Sequence, residues 1–586
     1  MNDVCGKRLP EILTILASKG YLAKMYTALE DDGIASVIKI ALDVVRNTEI
    51  VPLPDIRRKN SDKAASFIYE ARAYLRSRCI DVALEKCNEM LLYAPKNSDH
   101  MFSVYYFRAK ILCLVKAAIA GLNDIENCLA VMKPQDRDAL EDLMKMKKEL
   151  TSILPFENFK NLALQSSFGM DYFTFNMKRN KDINCAIADI GVVRENGLPK
   201  VVATKNIDVG KLVAVERAYV THRNDMNQLI SCYNCLKFNL NLIPCDGCCY
   251  ALFCDEMCKK LCMDEFHRTE CQIMDHIFPE RSDARFVLPV RAALKMKQAK
   301  SWDELVAASQ DLTADKLRNR SDSEIYDSRN TFSILNFNNG KHFVHGKIFN
   351  QSFYYAAIVN RLSEIPGYYP QDPKKRLEAM YALGSIMLHL FVTYPFEIEI
   401  INAAQNYLTN NVTSEPEPNF GWFSFANKLK HCCEPNLLVV GLNDKIGLVA
   451  VKPIKKGTEL TICYMGHWYE NIHHEGRKKK LFTALDVVCE CRVCENNWSN
   501  QTTRSAKLEP EQLKSFRKWR ATVGTVYPNS DKVHFKETCH ALRVLQDLPN
   551  TEEHHQLFRQ FRNSLNAFQY SVTENSIIMN SDFIHE

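Results

Sequence analysis

A run of closely paired cysteines, with one histidine in its last pair, constrains this chain more than anything else in it. Between Ser231 and Gln272 the order is Cys232-x2-Cys235-x9-Cys245-x2-Cys248-x5-Cys254-x3-Cys258-x8-His267-x3-Cys271. Zinc in a structural site takes four thiolate or imidazole ligands in a tetrahedron, and pairs two or three residues apart can grip one ion without straining the chain. Four such pairs make two sites. A closed four-ligand site has no open position for water or substrate, so the segment is a structural and docking module rather than a reaction centre. The energy of binding its ions is also the energy of folding it. Cys249 and Cys262 fall outside the spacing and read as small packed residues.

With 586 residues the chain exceeds what one core can serve, since single cores stop growing at roughly 250 to 300 residues. Several domains are expected. An apolar share of 46% with 25% charged residues is the mixture of a folded protein. The formal charge of +5 supplies no global field, so nucleic acid is not the expected partner. The apolar run Ile12 to Ala17 is followed by no small-residue cleavage site, and no stretch approaches the roughly 18 uninterrupted apolar residues of a membrane span. The chain is therefore expected to have no membrane association and to be cytoplasmic and nuclear. In those compartments its 22 cysteines are kept reduced, as metal ligands or core residues rather than disulfides.

Residues 1–160 carry long helical periodicities. Ala71, Tyr74, Ala83 and Pro95 fall where tetratricopeptide repeats place small, aromatic, small and terminating residues, and Tyr106-Phe107-Arg108-Ala109 reads as the start of a second repeat. From Ile183 the pattern turns to strands. Lys200 to Ala203, a turn at Asn206 to Gly210, and Leu212 to Glu216 predict a β-hairpin. After the cysteine cluster the sequence is helical to about Thr409, with a looped polar stretch from Ser309 to Asn330. Strand character returns at Leu437 to Val440, Ile446 to Val451 and Leu460 to Tyr464, with a turn at Lys455-Lys456-Gly457. The β-rich parts are split by inserts.

A smaller cluster, Cys489-Glu490-Cys491-Arg492-Val493-Cys494, supplies three thiolates and needs a fourth from elsewhere, for which Cys433 is the candidate. Around it, Lys430-His431-Cys432-Cys433-Glu434-Pro435-Asn436 resembles the Asn-His-Ser-Cys-x-Pro-Asn signature of SET domains. Gly457-Thr458-Glu459-Leu460-Thr461-Ile462-Cys463-Tyr464 is similar to the second SET signature, Gly-Glu-Glu-Leu-x-Ile-x-Tyr. The eight-ligand run looks like a MYND zinc finger, and the order of all these motifs is that of the SET-and-MYND family, in its branch with tetratricopeptide-like repeats. The resemblance covers roughly residues 183 to 495. It implies an α+β multidomain fold: a helical region at 1–160, the first half of a split SET domain at 183–230, the MYND finger at 232–271, a helical insert at 272–395, the SET core at 396–470, a post-SET zinc module at 471–500 and a C-terminal helical region at 505–586. In a MYND finger the pairs interleave, which assigns Cys232, Cys235, Cys254 and Cys258 to one ion and Cys245, Cys248, His267 and Cys271 to the other. The family's post-SET ion carries over to Cys433, Cys489, Cys491 and Cys494. About three zinc ions per chain are implied.

The same resemblance implies a protein-lysine N-methyltransferase using S-adenosylmethionine, on histone or other protein substrates. Tyr464 takes the role of the tyrosine associated with methyl transfer and, with Lys430, His431 and Asn402, contacts the cofactor. The chemistry is in-line displacement by a neutral lysine amine, which burial and a nearby sulfonium both favour over ammonium. Positioning and fixed dipoles supply the catalysis. Several departures fall on this site. Lys430 replaces the signature asparagine, and an inward cation would repel the sulfonium. Leu485 and Val487 replace aromatic residues, and Leu198-Pro199-Lys200 replaces Gly-Arg-Gly, leaving Gly197 nearby. Ala203-Thr204 and Glu216 continue the family pattern. The alternative is a scaffold without catalysis, whose finger binds proline-containing peptides. Protein substrates and such peptides are the expected partners of a monomer. The basic run Arg477 to Lys480 reads as a solvated helix face, with a nuclear address as its sharper alternative.

Overall fold

The computed structural model describes residues 17–31, 33–47, 57–164, 171–174, 176–239, 241–277, 284–312, 320–336, 345–393, 398–400, 418–469, 473–485, 487–499, 503–523 and 530–573. Asn402 lies outside them, and the side chain of Leu485 is not described.

Two helical hairpins dominate the N-terminal region: Ser61–Arg76 with Ile80–Tyr93, then Asp99–Leu114 with Ala118–Val131. Asn60 caps the first helix, its side chain accepting from the Lys63 amide at 2.8 Å, one of the donors a helix start leaves unpaired. Each hairpin turns on a residue in the left-handed region, Arg78 at φ 61° and Lys116 at φ 56°. Small buried residues, Ala71, Ala83, Ala109 and Gly121, leave room for these helices to pack closely. A Cβ on Gly121 would stand 2.6 Å from Leu150 Cδ1. The two hairpins repeat one design, as tetratricopeptide-like units do. The segment Tyr106 to Ala109 lies inside the Asp99–Leu114 helix rather than at its start.

The SET region is built of short strands. Strands β1 (Ile190–Glu195) and β2 (Leu198–Ala203) form an antiparallel hairpin. Its turn is Asn196-Gly197, with φ of 52° and 80°, the two positive values of a type I′ turn. This corrects the sequence expectation of a hairpin spanning 200–216. β3 (Leu212–Arg217) instead pairs with β11 (Lys445–Ala450), which also pairs with β10 (Leu437–Leu442). A local turn at 206–210 exists, but it carries the chain from one sheet to another. β4 (Val220–His222) joins β8 (Asn419–Trp422) and β7 (Ile398–Ile400). The last of these is a strand where the sequence read as helix. β9 (Lys430–His431) runs parallel to β12 (Thr461–Ile462), which is shorter than the expected strand at 460–464. The polar stretch at 309–330 contains a helix, Asp322–Tyr326, started by a Ser321–Glu324 capping box.

Both halves of the SET region meet in one core, with Val213 and Ala214 packed beside Phe425, Leu429, Leu448 and Ile462. Between the halves the chain leaves for the finger, where β5 (Ile243–Pro244) pairs with β6 (Leu252–Phe253), and for the helices Ala284–Ala299, His345–Leu362 and Pro373–Thr393. Three C-terminal helices, Pro510–Thr522, Ser530–Val544 and Glu552–Thr573, cover the face carrying Leu438, Val440 and Val449. Among the described residues no helix is long and apolar enough to cross a membrane.

Candidate metal centres and methyl-transfer site

The finger's ligand pairs come from a turn, a strand end and a helix start, which is why spacing alone brings them close. Cys232 and Cys235 stand before β5, Cys245 and Cys248 in the connection to β6, and Cys254 and Cys258 around the start of the Glu256–Cys262 helix. Asp255 caps that helix, accepting from the Cys258 amide at 2.7 Å, and so fixes the approach of the third pair. Cys232, Cys235, Cys254 and Cys258 form one group, and Cys245, Cys248, His267 and Cys271 another, with the ligand atoms of each group within 4.8 Å of one another. The interleaving implied by the family pattern is the arrangement found. Cys235 and Cys254 sulfurs lie 3.8 Å apart, and Cys248 Sγ lies 3.5 Å from His267 Nε2. Cys249 and Cys262 are buried outside both groups.

A third group unites Cys433, Cys489, Cys491 and Cys494, again within 4.8 Å. Cys433 Sγ stands 3.5 Å from Cys494 Sγ and 3.9 Å from Cys489 Sγ. Thiols this close compete for protons. Hydrogen bonds with Cys248 and Cys271 hold Cys245 below the ordinary thiol range. Hydrogen bonds with Cys232, and with Cys489, push Cys254 and Cys433 above it. Four soft ligands converging at tetrahedral separation, with no carboxylate among them, fit zinc rather than a hard cation.

Behind His267 lies a buried charge network that the sequence reading missed. Glu270 accepts from His267 Nδ1 at 2.7 Å, from the Tyr233 hydroxyl at 2.9 Å and from Arg291 Nε at 2.6 Å. Burial pushes its carboxyl up, but the Arg291 charge reverses this and holds it at about 2. The one available signal was position, three residues after the histidine and immediately before a ligand cysteine.

Tyr464 and His431, the residues the resemblance implies for methyl transfer and cofactor contact, meet where β9 runs beside β12. Tyr464 donates its hydroxyl to the Leu429 carbonyl at 2.6 Å, and its backbone amide bonds His431 Nδ1 at 3.0 Å. Burial pushes the phenol above its usual range, so it stays protonated. The two rings lie 5.0 Å apart. Lys430 is turned the other way: its side chain is 64% exposed, with Nζ 3.8 Å from Glu459 Oε2. Glu216, which could have been a solvated strand end, is buried and accepts from the Phe425 and Ala426 amides at 2.8 and 2.9 Å. It thereby tethers the segment leading to Leu429. Burial pushes its carboxyl up to about 7 against those two donors, and burial likewise lowers neighbouring Lys428 to about 7 against the attraction of Glu216. Val487 packs into the post-SET cluster beside Trp468 and Leu481. Arg477 departs from the solvated face read for its basic run, being buried with Nη2 donating to the Trp498 carbonyl at 3.1 Å.

A β-core split by inserts, with β9 and β12 paired in parallel and Tyr464 just beyond them, is the arrangement over which the chain is matched as a SET domain. The SET domain family model matches residues 200–465. Among curated relatives, Protein-lysine N-methyltransferase SMYD4 of Homo sapiens is 23% identical over 367 residues, 50% of this chain and 44% of that protein. Histone-lysine N-methyltransferase ASHR1 of Arabidopsis thaliana is 22% identical over 295 residues, 49% of this chain and 51% of its own length. Histone-lysine N-methyltransferase SMYD3 of Mus musculus is 23% identical over 307 residues, 50% and 61% of the two chains. The chain spans about half the length of these relatives. The chain carries a SET domain and is similar over about half its length to these SET-and-MYND proteins.

Proposed function

We propose that the chain is a protein-lysine N-methyltransferase that uses S-adenosylmethionine and holds three structural zinc ions. The observation that carries the reading is the Tyr464 anchorage, a buried phenol fixed at once to Leu429 and His431. When bound, the cofactor supplies a methyl group activated on a sulfonium. With its proton held in the bond to the Leu429 carbonyl, the phenolic oxygen would have only acceptor capacity to offer, the role needed to orient a neutral lysine amine. Tyr464 packs against the apolar core of Phe425, Leu429 and Ile462, and an apolar setting of that kind would favour a neutral amine over ammonium. The Glu216 tether keeps the Phe425 to Leu429 segment, and with it the carbonyl that fixes Tyr464, from drifting. The Lys430 side chain is mostly exposed with its ammonium toward Glu459, an orientation that would spare a bound sulfonium a neighbouring cation.

The test pairs calorimetric titration of S-adenosylmethionine with transfer of labelled methyl to a lysine-bearing protein. Tyr464→Phe should bind cofactor as the parent does and lose methyl transfer by on the order of a hundredfold, the scale of one positioned polar group. A parent that shows no heat of binding at millimolar cofactor would instead be a scaffold. The finger is proposed to dock proline-containing peptides. In support, Met257 and Leu261 stand one turn apart on its helix, 75% and 39% exposed. If Met257→Glu bound such peptides as tightly as the parent, this face would be excluded.

A further inference from the structure

The Glu270 network does more than fill space behind the finger. A carboxylate can only accept hydrogen bonds, so the 2.7 Å contact from His267 Nδ1 to Glu270 Oε2 requires the proton on Nδ1. In the neutral ring that leaves Nε2 unprotonated, and Nε2 is the atom that faces Cys248 Sγ at 3.5 Å. The ring is thus preset in the tautomer that ligates a metal, the arrangement by which a second carboxylate orients and strengthens an imidazole ligand. Glu270 is fixed in turn. Its other oxygen takes Arg291 Nε at 2.6 Å, while Arg291 Nη1 donates to the Thr221 carbonyl at 2.6 Å and Nη2 to the Tyr233 hydroxyl. His267, Glu270 and Arg291 are all fully buried. Arg291 belongs to the Ala284–Ala299 helix beyond the finger, and Thr221 to β4 of the SET region.

We propose that Glu270 and Arg291 are positioning residues of the histidine-containing zinc site, locking the His267 ring for ligation through Nε2 and fastening that site to β4 of the SET domain. The proposal rests on the zinc reading but not on methyl transfer. Two consequences separate it from a merely structural role. Loss of the carboxylate should weaken one ion out of three, and the weakening should vanish when the histidine is replaced by a thiolate that needs no tautomer fixed.

The experiment follows zinc release from the full chain to a chromophoric chelator, with cobalt substitution to identify the site by its absorption. The parent should release three ions. Glu270→Gln should release one of them more readily, by about 10- to 100-fold as for other outer-shell carboxylates, with the altered cobalt spectrum belonging to the site with nitrogen ligation. Arg291→Met should do the same. In a His267→Cys background, Glu270→Gln should leave release unchanged. A parent without zinc would refute the zinc reading itself. Three ions held equally tightly in parent and Glu270→Gln would overturn the relay alone. So would an equal loss in the His267 and Cys backgrounds, or a uniform loss at all three sites.

Discussion

Replacing Lys430 by the asparagine of the family signature tests the site most directly, because its two possible orientations differ by orders of magnitude. In the structure the ammonium is mostly exposed and pairs with Glu459 at 3.8 Å. An exposed pair of that kind is worth roughly 0 to 1 kcal/mol. Lys430→Asn should therefore change stability little and shift cofactor affinity by less than about fivefold. Were the ammonium instead about 4 Å from a bound sulfonium, an effective dielectric near 20 would give about 4 kcal/mol of repulsion. Removing it would then tighten the cofactor by nearly a thousandfold. Titration calorimetry of parent and variant distinguishes these outcomes without any knowledge of the protein substrate. Glu459→Gln is the companion variant: freed from its partner, the ammonium has less reason to stay outside, so affinity should fall slightly in this variant and recover when Lys430→Asn is added. A tightening of more than about tenfold in Lys430→Asn alone would show that the side chain enters the pocket and would refute the reasoning.

Two further predictions concern stability. Arg108 is fully buried, donating to Asp124 at 2.6 and 2.7 Å and to the Leu242 carbonyl at 2.9 Å, so Arg108→Leu should cost roughly 3 to 5 kcal/mol by stranding the carboxylate. Urea unfolding followed by amide exchange in 99–131 measures this, and an unchanged midpoint would remove the pair from any account of how finger and hairpins adhere. His389 is buried with Nε2 3.0 Å from the Leu335 carbonyl, and burial, opposed by that bond, lowers it from the ordinary 6.5 to about 4. A depressed histidine contributes stability that is present above 6.5 and lost as pH falls toward 4, up to about 3 kcal/mol. The parent should therefore lose its advantage over His389→Gln across that window, the zinc contributions cancelling in the difference. A difference independent of pH would show that His389 is not held neutral.

What the sequence revealed and what it hid divide along a physical line. Ligand spacing in the finger was legible because each pair is closed by two or three residues of chain, and geometry that local leaves little freedom. The hairpin was misplaced because β3 finds its partner in β11, more than half the resemblance away in sequence. Nothing in Leu212 to Glu216 records that distant strand. A local signal did exist in Asn196-Gly197 between Val192-Val193 and Val201-Val202, since Asn-Gly suits the two positive φ values of a tight hairpin turn. Buried charge was the hardest to read. Glu216 at a strand end looks like any solvated carboxylate until the Phe425 and Ala426 amides arrive from the other half of the split domain to satisfy it. Lys430 shows the converse. Its identity suggested a cation in the site, yet a long side chain lets the backbone keep its place while the charge leaves.

The buried arginines explain why a small finger between two large helical bodies holds a fixed place. Arg108 comes from the helical hairpins and Arg291 from the insert helix. Each is fully buried, each is paired with a buried carboxylate, and each spends one further donor on a main-chain carbonyl: Leu242 in the finger for Arg108, and Thr221 in the SET region for Arg291. Asn241 adds a bond back to Asp124 at 3.2 Å, and Lys96 pairs with Asp246 at 2.9 Å. A planar guanidinium can satisfy a carboxylate and a carbonyl at once, which a lysine cannot do with the same fixed geometry. Apolar contact alone would let the finger slide, because such contact is non-directional. Paired charges in a dry interior do not tolerate sliding, since any displacement leaves a desolvated group unpaired. The two arginines therefore tie the finger to its neighbours, Arg108 joining Leu242 to the helical hairpins and Arg291 joining Glu270 to Thr221 of the SET region.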